Sequence, residues 1–166
     1  LARRILPPKH KERRMPVRYA HTNIIARDWR SLAAFYETVL GCTPVPPERD
    51  LSGAWLDALT GLSGSRLRGM HLRLPGLGES GPTLEIFSYD DMPAGPAMAP
   101  NTPGLAHLAF AVDDVAAVTQ AFLSHGGSLV GETIVRDIPG VGRLSCVYAR
   151  DPEGNMVELQ RWDAAS

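Results

Sequence analysis

Two histidines and two glutamates occupy corresponding places in this 166-residue sequence. Laying Ala20-His21-Thr22-Asn23-Ile24-Ile25-Ala26-Arg27-Asp28 over Ala106-His107-Leu108-Ala109-Phe110-Ala111-Val112-Asp113-Asp114 pairs Ala with Ala, His with His and Asp with Asp, at an offset of 86. Each half also holds a glutamate inside an apolar run, Glu85 between Leu84 and Ile86, and Glu158 between Val157 and Leu159. A carboxylate in such a run is costly to bury without a cation or a donor network. Two imidazoles and two carboxylates brought together suit a divalent ion, which is Lewis-acidic when a coordination position is left to water or substrate. Zinc, nickel, cobalt, manganese and ferrous iron all accept this donor set. Taken singly, a strand histidine is more often structural and a strand glutamate more often faces solvent. The correspondence between the halves is what singles these four out.

The elements that must position them are legible as a repeated plan. Period-2 alternation puts Tyr19, His21, Asn23 and Ile25 on one strand face, and Thr83, Glu85, Phe87 and Tyr89 on another. In the second half Leu105, His107, Ala109 and Ala111 share a face, as do Met156, Glu158 and Gln160. Behind Asp28, residues Leu32, Phe35, Tyr36, Val39 and Leu40 have helical spacing; behind Asp114, so do Val115, Val118, Ala121, Phe122 and Leu123. Gly41 and Gly126-Gly127 are natural stops. Strands are expected over 69–74 and 83–89, with a loop at 75–82, and over 142–150 and 155–162, with a turn at Asp151-Pro152-Glu153-Gly154. Each half reads as strand, helix and small meander. Residues 91–104 hold four prolines, Pro93, Pro96, Pro100 and Pro103, and read as a linker. Over 48–68, Trp55, Leu56, Leu59 and Leu62 suit either a short helix or a loop over a pocket.

The net charge of −1 gives no chain-wide basic field for nucleic acid or anionic lipid. The exception is the leading segment, with Arg3, Arg4, Lys9, Lys11, Arg13, Arg14 and Arg18. It reads as a disordered basic arm over 1–16, and Met15 is a candidate start of the folded unit. The arm lacks the apolar stretch of a secretion signal, and no apolar run is long enough to span a membrane, so a cytoplasmic protein is expected. Cys42 and Cys146 lack metal-ribbon spacing and are expected as reduced thiols.

The motifs quoted above, with Leu32-Ala33-Ala34-Phe35-Tyr36-Glu37-Thr38-Val39-Leu40-Gly41, Pro103-Gly104-Leu105-Ala106-His107 and Asp151-Pro152-Glu153-Gly154-Asn155-Met156-Val157-Glu158-Leu159, resemble the vicinal oxygen chelate superfamily over residues 17–162. That superfamily includes glyoxalase I, methylmalonyl-CoA epimerase, extradiol dioxygenases and bleomycin-resistance proteins. The resemblance implies an α+β fold of two βαβββ modules, 17–90 and 105–162, forming a cup-shaped, mainly antiparallel sheet around one metal site, with a tail at 163–166. It implies that His21, Glu85, His107 and Glu158 hold one divalent ion. The His-Glu-His-Glu pattern is nearest to glyoxalase I and to the epimerases, which carry Gln in the place of Glu85.

The implied activity is that of a metal-dependent lyase or isomerase, moving a proton next to a metal-bound carbonyl through an enediolate. Glu158 or Glu85 would be the catalytic carboxylate, with Glu158 favoured. A ring-cleaving dioxygenase and a metal-free sequestering protein are the alternatives. His71, Arg73, Phe87 and Tyr89, with Arg66, Arg68 and Trp55 nearby, are candidates to contact a small-molecule substrate. His125, at a helix end, reads as structural. No nucleic-acid or membrane partner is expected. Related chains pair modules within one subunit or between two, so a homodimer is compatible with the resemblance.

Overall fold

The computed structural model describes residues 17–96 and 98–164, and the basic arm expected over 1–16 lies outside them. The first half runs β1 (His21–Ile25), α1 (Trp29–Leu40), β2 (Thr43–Ser52), α2 (Ala54–Thr60), β3 (Arg66–Arg73) and β4 (Thr83–Tyr89). The second runs β5 (Leu108–Ala111), α3 (Val115–Ser124), β6 (Ser128–Leu129), β7 (Ile134–Ile138), β8 (Gly142–Arg150) and β9 (Met156–Asp163). The strands form two sheets, ordered β1-β4-β3-β2 and β5-β9-β8-β6, with β7 also paired to β8. In each, the first strand lies parallel to the last and the other pairs are antiparallel. The parallel pairs follow from the repeat, because a helix must carry the chain back before the meander closes against the first strand.

Both long helices start where an aspartate satisfies otherwise unpaired amides. Asp28 accepts from the backbone of Arg30 and Ser31, and Asp114 from that of Ala117. Gly41 ends α1 in the left-handed region at φ 68°, where a side chain would be strained. The apolar stripe of α1 buries Leu32, Phe35 and Tyr36 against Leu72, Leu84 and Ile86 of the first sheet. The same core continues into the second half through Phe122, Val147, Val157 and Leu159, with the Phe35 and Phe122 rings edge to face at 4.7 Å.

A polar clasp joins the halves beside this core. The Tyr36 hydroxyl, at 0% exposure, donates to Asp151 Oδ2 at 3.0 Å. Asp151 also accepts from the Glu153 and Asn155 amides and the Asn155 side chain. Glu153 in turn accepts from the Asp28 amide at 2.9 Å and lies 3.5 Å from Arg27.

β2 is not legible in the sequence because it holds Pro44, Pro46 and Pro47. Prolines argue against a central strand, but β2 is at the sheet edge, where a missing donor is tolerated. The segment 48–68 contains the short helix, α2. β6 and β7, both exposed edge elements of weak apolar pattern, were also not anticipated. Strand boundaries shift: β3 begins at Arg66 and ends at Arg73 against the expected 69–74, His107 immediately precedes β5, and β9 runs Met156–Asp163 against the expected 155–162.

Candidate metal centre and pocket

On the first sheet, alternation turns Ile24, Leu84, Ile86 and Leu72 into the core and leaves the other face open. Across that open face the register aligns Asn23, Glu85 and His71 in one row. His21, Thr83 and Arg73 form the row on one side, and Ile25, Phe87 and Gly69 the row on the other. Glu85 is the hub. Its Oε2 lies 3.3 Å from His21 Nε2 and accepts from Asn23 Nδ2 at 3.1 Å, while its Oε1 lies 2.9 Å from His71 Nε2. His71 Nδ1 meets the Thr83 hydroxyl at 2.9 Å. Burial holds the His71 imidazole below its ordinary pKa; Glu85 opposes that shift, while Arg49 and His21 add to it.

The second sheet repeats the arrangement with fewer partners. His107 Nε2 lies 3.1 Å from Glu158 Oε2. Tyr148 stands opposite Glu158 on β8, its ring 5.0 Å from that of His107. Burial, then the Glu158 charge, pushes the Tyr148 phenol upward. The parallel register is the same in both halves: Glu85 faces Asn23, two residues after His21, and Glu158 faces Ala109, two residues after His107. Two residues along a strand returns to the same face, so each histidine and glutamate meet on the open side.

The donor chemistry fits a divalent ion in halves. Each pair places an imidazole nitrogen and a carboxylate oxygen about 3 Å apart, on side chains mostly withdrawn from solvent except for that of His21, as neighbouring ligands require. The four do not converge within one chain: among the described residues no group of three or more His, Cys, Asp or Glu is arranged to hold a metal ion. His21 and Glu85 line one cavity and His107 another.

The cavity at His21, of about 350 Å³, includes His71, Phe87, Tyr89 and Trp55 among its lining. Arg73 is not among its walls. Arg66 and Arg68 are engaged elsewhere, with Asp50 at 2.7 Å and with Asp90 respectively. His125 caps α3 and donates through Nδ1 to the Ala121 carbonyl at 2.8 Å, a structural role as expected. Asn23 and Arg49 were missed. Asn23 was signalled by its place two residues after His21; Arg49 was hidden because β2 went unread.

The sequence profile of the Glyoxalase/Bleomycin resistance protein/Dioxygenase superfamily matches residues 18–159. The chain belongs to this superfamily. A relative, the uncharacterized protein YaeR of Escherichia coli (strain K12), is 31% identical over 140 residues, covering 84% of this chain and 92% of its own. Among solved structures, a glyoxalase family protein from Bacillus cereus superposes with a TM-score of 0.75 at 20% identity, covering 91% of this chain and 97% of the other. One from Enterococcus faecalis gives 0.56 at 25% identity, covering 86% and 96%. These matches extend the superfamily fold across both modules. No helix among the described residues is long and apolar enough to cross a membrane.

Proposed function

We propose that the chain is a divalent-metal-dependent lyase or isomerase of the glyoxalase type, which moves a proton next to a substrate carbonyl. The observation that carries this is the repeated pair, His21 with Glu85 and His107 with Glu158, set at the same register in both modules. These four side chains would hold the ion. When bound, a divalent ion supplies Lewis acidity that polarises a carbonyl oxygen.

The remaining roles fall to the protein. Glu85 is held by Asn23 and His71 as well as His21, so it is the fixed carboxylate. Glu158 has His107 alone as a polar partner among the described residues, leaving it freer to turn and carry a proton. That favours Glu158 as the base, since proton transfer needs a carboxylate that reaches the substrate within hydrogen-bond distance. Because the two pairs do not form one group of ligands among the described residues, the reading includes a second copy: the first module of one chain completes its site with the second module of its partner. Superfamily membership, the register and the separation of the half-sites support it.

Elemental analysis after reconstitution tests the first part. Wild type is expected to retain one equivalent of zinc, nickel, cobalt, manganese or iron per chain, and His21→Ala, Glu85→Gln and His107→Ala to lose at least tenfold in affinity. Equal, near-zero metal in wild type and variants refutes it and favours sequestration. Turnover of a methylglyoxal–glutathione adduct or epimerisation of an acyl-CoA separates the isomerase readings; oxygen uptake on a catechol with ferrous iron points to ring cleavage instead. Mixing Glu85→Gln with Glu158→Gln chains tests sharing between copies, because only exchange between chains rebuilds one wild-type site from two inactive proteins.

A further inference from the structure

The open face of the first sheet changes character along its strands. The row of His71, Glu85 and Asn23 gives way to Arg49, Gly69 and Phe87, and then to Leu51, Leu67 and Tyr89. Successive rows are about 7 Å apart, two residues at ~3.4 Å each. Leu56 of α2 packs on Leu67 and Phe87 in an apolar cluster separate from the main core. Beside it Trp55 and Leu59 line the same cavity while remaining 55% and 75% exposed, so apolar surface is left uncovered at its edge.

Arg49 is the one guanidinium among the residues lining this cavity. Its neighbours are neutralised: Arg30 pairs with Glu48, Arg66 with Asp50 and Arg68 with Asp90. Arg49 makes no ion pair among the described residues, and its hydrogen bond is to the neutral Pro47 carbonyl. The β2 register breaks between Val45 and Arg49, an irregularity of the kind that re-aims a side chain beside a site. Gly69 carries no side chain next to Arg49, and the Phe87 ring fills that place: a Cβ there would fall 2.1 Å from Phe87 Cδ1.

We propose that this cavity takes a carboxylate-bearing ligand with an aromatic or branched apolar body, Arg49 reading the carboxylate and Leu51, Leu56, Phe87 and Trp55 holding the body. An anion there gains a charge-assisted partner that no protein carboxylate occupies. The body covers apolar surface otherwise left to water. The proposal deepens the metal-dependent reading above and rests on it for placing the reacting end of the ligand at Glu85.

Calorimetric titration with 3-phenylpropanoate, 3-phenylpropanamide and propanoate tests it, on metal-depleted and metal-reconstituted protein. Its carboxylate and ring are about one row apart. Phenylpropanoate is expected to bind at least tenfold more tightly than either analogue in both preparations. Arg49→Met, with its fold checked by thermal melting, is expected to bind the acid and the amide equally; Trp55→Ala is expected to weaken both without changing their ratio. Equal binding of acid and amide to wild type overturns the proposal, as does equal binding of phenylpropanoate and propanoate, or a preference undiminished in Arg49→Met. Should elemental analysis find no metal while the Arg49-dependent preference persists, the metal-dependent reading fails and the binding proposal stands.

Discussion

Replacing Tyr36 by Phe removes one hydroxyl from the clasp between modules and leaves every apolar contact of the ring. The lost bond runs from a fully buried donor to a carboxylate, a class worth about 1.5–3 kcal/mol. Asp151 Oδ2 keeps the Asn155 side-chain donor at 2.9 Å, and Oδ1 keeps two amides, so the carboxylate is weakened but not orphaned. The expected cost is therefore at the lower end, about 1.5–2 kcal/mol near pH 7. For a chain of this size that lowers the melting temperature by roughly 3–8 °C.

The pH dependence gives a second handle. Burial raises the Asp151 pKa above its ordinary 3.8, while Asn155 and Tyr36 pull it down. The native state therefore binds this proton more readily than the unfolded chain. The contribution of Asp151 to stability is greatest below about 3.8 and falls as pH rises through the native pKa. Removing Tyr36 raises the native pKa further, so the Tyr36→Phe deficit should be larger at pH 7 than at pH 4. Denaturant titrations of both proteins at the two pH values measure this. A deficit that is unchanged, or that grows toward pH 4, would refute the assignment of Tyr36 as a donor to an ionised Asp151.

Other outcomes follow from the same geometry. Gly69→Ala would put a Cβ 2.0 Å from the Ile86 carbonyl oxygen and 2.8 Å from Phe87 Cα, so β3 and β4 must part; thermal melts should show a loss of about 1–3 kcal/mol. Removing the Asp28 carboxylate with Asp28→Ala should cost about 1 kcal/mol at neutral pH. The Ser31 hydroxyl, then the capped Ser31 amide, hold its pKa below 3.8, so this contribution persists above 3.8 and disappears as pH falls through the native value, which acid titration of the melting temperature would follow. Burial pushes the Cys42 thiol up to about 11, so mass spectrometry after alkylation at pH 8 should find Cys146 modified well before Cys42. Metal at a hundred times its dissociation constant should stabilise the protein by about 2.7 kcal/mol, and chelator should reverse the shift in the melting temperature.

Much of this molecule is written locally. Asp28 and Asp114 with the spaced apolar residues behind them are enough to set two helices, because capping and amphipathic spacing act within a few turns. Alternation around Glu85 and Glu158 assigns their faces for the same reason, and the 86-residue offset brings out the two histidines before any contact is seen. What the tertiary structure decided is long-range. It placed proline-rich β2 at an edge that tolerates it, drew His71 and Asn23 onto Glu85, paired Arg66 and Arg68 away from the cavity and left Arg49 facing it. It also kept His21 with Glu85 and His107 with Glu158 as separate half-sites. Periodicity fixes which face a side chain takes, but the register between strands and the packing of one module on another depend on contacts far apart in sequence, whose closure no local pattern encodes.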